Sequence, residues 1–128
     1  MNSKPYVREV SKTTWFLSHP RYKRYMAREV TCIFIFAYTF LLIAALGALA
    51  NGQEAFDAFV LGLGGPLGVL FNVVVLIATV YHSLSWFVVT PQAMPIQMGE
   101  EFVAGHIIVN AHYGAWAVVS LIILFWGM

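Results

Sequence analysis

Residues 31–50 read TCIFIFAYTFLLIAALGALA, a run without a single Lys, Arg, Asp or Glu. A helix that crosses the hydrocarbon core of a bilayer needs about 20 apolar residues. This stretch therefore predicts a first membrane crossing, placed at about residues 30–50. Asn51-Gly52 breaks the run, and Gln53, Glu54 and Asp57 read as a short polar connection. Residues 58–90 are again uncharged and exceed one crossing. Gly62, Gly64, Gly65 and Pro66 divide them into a short re-entrant turn and a second span at about 66–89, with Pro66 suited to a first helical turn. Pro91, Pro95, Glu100 and Glu101 form the next connection, and a third span occupies about 103–126. The expected fold is an all-α membrane protein: three transmembrane helices in one membrane-anchor domain over 1–128, preceded by an interfacial segment over 1–29.

Composition agrees with that reading. Of 128 residues, 60% are apolar and 10% charged, whereas soluble domains carry about 25% charged residues. All seven Lys and Arg precede residue 29. With Glu9 and Glu29 set against them, residues 1–29 carry +5, and Glu54, Asp57, Glu100 and Glu101 leave −4 beyond. Basic short segments stay on the cytoplasmic side, so the N-terminus is expected inside and the C-terminus, three crossings later, in the periplasm. A basic cluster beside hydrophobic spans speaks for topology and membrane lipid, and no nucleic-acid partner is expected. Residues 1–29 lack the apolar core of a secretory signal. Cys32 is the single cysteine, which excludes an internal disulfide and a cluster or structural zinc held by cysteines of this chain alone.

Three helices make a thin bundle, so packing against another membrane protein is expected. Ala44 and Ala48, Gly64 and Gly68, and Ala111 and Ala115 have the spacing that permits close helix approach in lipid. Upstream, Trp15, Phe16, Tyr22, Tyr25 and Met26 mix with basic residues, and Pro20 is placed to begin an interfacial helix that runs into the first span. Lipid anchoring explains this segment, as does docking of a cytoplasmic protein.

Chemistry is sought in polar groups placed where lipid penalises them. Glu29 opens the first span beside Arg28. His82, Ser83, Ser85 and Trp86 lie late in the second, and His106, Asn110 and His112 early in the third. At about 1.5 Å per residue, His82 lies roughly 12 Å deep, Trp86 and His106 roughly 6 Å, and His112 about 15 Å, all in one leaflet. His82 and Trp86, four apart, share a helix face, so a bound ring would meet an imidazole and an indole together. Glu29 reaches the same side. Quinol oxidation needs a proton acceptor in touch with solvent, a partner for the second ring oxygen and a flat apolar pocket, and these are the matching residue types.

Each residue also has a structural reading. Glu29 suits a helix start, Trp86 suits an interfacial belt, and Arg28, about 100° round the helix from Glu29, suits phosphate headgroups or topology. His106 and His112 suit packing. Two imidazoles facing across a bundle would also hold a b-type haem, and the depths of His82 and His112 permit that pair.

The runs Lys4-Pro5-Tyr6-Val7-Arg8, Thr14-Trp15, Tyr25-Met26-x-Arg28-Glu29, Asn51-Gly52-x-Glu54-Ala55 and His82-x-x-x-Trp86-Phe87 resemble the C subunit of the four-part bacterial quinol:fumarate reductase. The likeness covers nearly the whole chain and weakens after about Pro91. It implies a three-helix anchor in the bacterial inner membrane that pairs with a second membrane anchor, the D subunit, and holds a flavoprotein subunit and an iron–sulfur subunit on the cytoplasmic side. It implies a menaquinol/menaquinone site with Glu29 as proton acceptor or relay and Arg28, Cys32, His82 and Trp86 about the ring. Electrons would pass to iron–sulfur clusters and FAD in the partner subunits and on to fumarate, in anaerobic respiration, with no haem in this anchor. Two departures stand out: His106 and His112 in the third span, and Cys32 where the family has a smaller alanine. Two other readings stay open beside it: the haem b-binding anchor of a succinate dehydrogenase, and a stand-alone proton-coupled transporter or assembly protein.

Overall fold

A computed structural model describes residues 9–127. The motif at residues 4–8 lies outside them. A single 3-10 turn, Trp15–Leu17, comes first. Trp15 packs edge-on against Tyr22 with ring centroids 5.4 Å apart, laying this turn on the start of the first helix.

Helix α1, Pro20–Ala50, begins as the sequence predicts. His19 is extended and its Nδ1 accepts from the backbone N–H of Arg21 at 3.2 Å, while Pro20 occupies the first turn, where a missing N–H costs nothing. No break separates the interfacial stretch from the first span. At 31 residues, α1 is about 46 Å long, against roughly 30 Å of hydrocarbon, so its basic first turns stand beyond the apolar layer.

The polar connection and re-entrant turn expected after Asn51 are instead one helix, α2, Gln53–Leu63. Gln53 Nε2 donates to Asp57 Oδ1 at 2.8 Å, one turn on, so two residues read as loop-formers brace a helical start. Gly64 and Gly65 separate it from helix α3, Pro66–Ala93, whose first residue is the one predicted. Gly68 meets the end of α2 closely: a Cβ there would stand 2.3 Å from the Leu63 carbonyl oxygen. Gly64 and Gly68 therefore serve this elbow rather than one small-residue stripe. Pro91 lies inside α3 instead of ending it. Near a helix end its missing N–H frees little, and Thr90 Oγ1 donates to the Trp86 carbonyl at 2.8 Å.

The next connection holds a two-stranded hairpin, β1 Gln97–Met98 and β2 Glu101–Phe102, in which Gln97 faces Phe102 and Met98 faces Glu101. Gly99 at φ +67° supplies the left-handed conformation of its turn. Helix α4, Gly105–Trp126, follows.

Three helices, α1, α3 and α4, are long and apolar enough to cross a membrane. They form a row: α3 packs against α1 on one side and α4 on the other, and among the described residues α1 and α4 do not meet. Val75, Ala78 and Ile108 are the described apolar residues that are buried, all on α3 or α4. Both broad faces of the row are apolar and uncovered. The up-down-up path places the start of α1, the end of α3, the hairpin and the start of α4 at one end, where the polar candidates also lie.

Candidate functional site

The seam between α1 and α3 carries the polar contacts. Thr31 Oγ1 lies 3.0 Å from His82 Nδ1, and Cys32 Sγ lies 3.9 Å from the same nitrogen. The guanidinium of Arg28 sits over the Trp86 ring, 4.5 Å from its centroid, and 5.5 Å from the Tyr25 centroid, within cation–π reach of both rings. His82 and Trp86 share a face of α3, with ring centroids 6.4 Å apart. Four of the five residues predicted about the ring, Arg28, Cys32, His82 and Trp86, therefore meet across one helix pair. Arg28, assigned from the helical wheel to headgroups, faces α3.

The fifth, Glu29, stands apart. It is exposed and makes no ion pair or hydrogen bond among the described residues. On the wheel it lies about 60° from Cys32, on the flank that turns away from Thr31. Trp86 is 40% exposed. A groove of about 640 Å³ runs along the same seam, lined on α1 by Arg21, Arg24 and Arg28 and on α3 by Tyr81, Ser85 and Val88 among others, and Arg28 is the predicted residue that borders it. Glu29, Cys32, His82 and Trp86 do not line it.

Sequence reasoning passed over Thr31. Its signal is positional: it lies three residues beyond Arg28 and so on the same face of α1. Its hydroxyl donates to the Arg28 carbonyl oxygen and stands against His82 across the seam. A threonine in an apolar run reads as filler unless the facing helix offers a partner.

His112 occupies the other seam. Its Nδ1 lies 2.7 Å from the Ile108 carbonyl of its own helix, and its ring packs 5.4 Å from that of Phe87. Phe87 also meets Tyr113 at 5.3 Å and Trp116 at 6.1 Å. His82 and Phe87 are about 140° apart round α3, so His82 and His112 look at different neighbours and do not form the facing pair considered for a haem. His106 and Asn110 are exposed. Among the described residues no group of three or more His, Cys, Asp or Glu is gathered for a metal ion.

Two polar nitrogens of the seam have no partner among the described residues. Arg28 Nε is buried without a hydrogen-bond partner, the second nitrogen of His82 makes no hydrogen bond among the described residues, and Trp86, stacked on the Arg28 guanidinium, stays partly exposed.

The family model for the C subunit of fumarate reductase matches residues 1–127. The fumarate reductase C subunit of Vibrio cholerae serotype O1 is 40% identical over 123 residues, 96% of this chain and 96% of that protein. The corresponding proteins of Vibrio parahaemolyticus and Vibrio atlanticus are 40% and 38% identical over the same coverage.

Proposed function

The chain belongs to the family of fumarate reductase C subunits, as a multi-pass membrane anchor within an oxidoreductase complex, and from that premise we propose that it forms part of the complex's menaquinol-oxidising site. The observation that carries the reading is the α1–α3 cluster: an imidazole tethered at 3.0 Å by Thr31 beside an indole stacked at 4.5 Å on Arg28, at the end of the row that bears the basic residues. In this reading the end is cytoplasmic, the membrane is the bacterial inner membrane, and the flavoprotein and iron–sulfur subunits dock there.

A quinol supplies two electrons and two protons when oxidised. The electrons leave for the iron–sulfur clusters and FAD of the partner subunits. This chain's own residues handle position and protons. Trp86 gives the ring a flat wall, His82 takes a hydrogen bond at one oxygen, and the guanidinium of Arg28, which borders the groove, donates at the other. Glu29, exposed at the rim, takes up protons and returns them to water. The second membrane anchor closes the pocket over the flank where Glu29, Cys32 and Trp86 are exposed. In the assembled complex, Glu29→Gln should leave the full set of subunits and artificial-donor fumarate reduction intact while menaquinol oxidation slows about a hundredfold, the lower range for loss of a positioned acid–base group. Normal quinol turnover in that variant would remove Glu29 from the mechanism.

A further inference from the structure

The contacts of the α1–α3 seam can all be hydrogen bonds in one proton arrangement only. The Thr31 hydroxyl carries one proton and faces two partners, and the Arg28 carbonyl oxygen, which can only accept, takes it in the arrangement that makes both contacts hydrogen bonds. Toward His82 Nδ1, 3.0 Å away, the same oxygen therefore offers a lone pair. The Cys32 thiol repeats the pattern more weakly, directed at the Arg28 carbonyl at 3.8 Å with its sulfur 3.9 Å from Nδ1. In that arrangement both neighbours on α1 present acceptors, and Nδ1 completes the set as the donor. A neutral imidazole has one N–H, and with it at Nδ1 the other nitrogen, Nε2, carries a lone pair. The opposite tautomer would turn the Thr31 hydroxyl to Nδ1 and leave its contact with the Arg28 carbonyl without a proton.

We propose that Thr31 is a positioning residue that locks neutral His82 with its proton on Nδ1, so that the site favours a ligand hydroxyl over a ligand carbonyl. The first half stands on this geometry alone; the second rests on the quinol site proposed above. A reduced quinol offers an O–H, which Nε2 accepts. An oxidised quinone offers only carbonyl lone pairs, which Nε2 in this tautomer cannot satisfy, and an unpaired acceptor facing another is the costly case. The lock thus holds the reduced form and releases the oxidised one, which suits a site that must discharge its product after each oxidation.

The test uses the assembled complex with 15N-labelled histidine, His82 being identified by its loss in His82→Gln. Its nitrogen shifts should report a proton on Nδ1 in the native complex and in Thr31→Ser, and a mixed or reversed tautomer in Thr31→Val, which keeps the shape and removes the hydroxyl. A native His82 protonated on Nε2 overturns the proposal whatever binds there. Kinetics test the second half: with menadiol as donor to fumarate, Thr31→Val should raise KM about tenfold, while KM for menadione in the succinate-oxidising direction stays within about twofold, and Thr31→Ser should restore both. Equal rises in the two KM values, or no change in either, overturn the selectivity. If His82→Ala leaves menadiol kinetics unaltered while the native tautomer is as described, the quinol site fails and the lock survives without its consequence. Should Thr31→Val not assemble, the native spectrum alone still decides the first half.

Discussion

Helix α3 carries two seams, and each holds a histidine. His82 on the α1 side is tied across the seam, to Thr31 at 3.0 Å. His112 on the α4 side is tied within its own helix, to the Ile108 carbonyl at 2.7 Å, and otherwise packs on Phe87. The α1–α3 seam is built of hydrogen bonds and a stacked cation, the α3–α4 seam of four aromatic or imidazole rings. The same residue type at similar depth is thus a directed polar group in one place and a packing ring in the other. Partners across the seam make the difference, since α3 is apolar all round and its own sequence favours neither side.

The sharpest way to break this comparison is to remove each imidazole in turn. His82→Ala should lower menaquinol-dependent turnover of the complex about a hundredfold, and His112→Ala should change it by no more than about twofold. Comparable losses in both would erase the distinction. Next in size is the aromatic seam. Phe87 touches three rings of α4, so Phe87→Ala should cost about 2 kcal/mol, seen as a lower thermal midpoint of the detergent-solubilised complex with quinol affinity retained. A fall in affinity without a fall in stability would move the ligand to that seam. Smallest is the stacked cation: Arg28→Lys keeps the charge but loses the planar face, and a double-mutant cycle with Trp86→Leu should return a coupling of about 1 kcal/mol. A coupling near zero would mean that the stack is incidental.

What the sequence makes legible follows the same division. Charge-free runs announce the three crossings, and Pro20 and Pro66 mark two helix starts to the residue, because proline tolerates only a few positions in a helix. Helix α2 is hidden by Gln53, Glu54 and Asp57, which read as loop. Yet Ala55, Phe56, Phe59 and Leu63 recur at helical spacing and are the half-buried positions of that helix. The hairpin escapes notice because two residues per strand leave no alternation to read. Within the candidate site, residue types are legible and neighbours are not. His82 and Trp86 follow from a four-residue spacing on one helix, whereas Thr31 and the position of Arg28 over Trp86 depend on which face of α3 turns to α1. Glu29, expected among them, stands at the flank, where 100° per residue leaves it.

A row of helices with α3 in the middle is a slab a single helix thick, about 10 Å through. Among the described apolar side chains only Val75, Ala78 and Ile108 are insulated from what lies outside, so nearly every other residue answers to two environments at once, the seam it helps to build and the medium pressed against the slab. No layer of protein stands between the surrounding medium and the seam that holds the 3.0 Å link between Thr31 and His82.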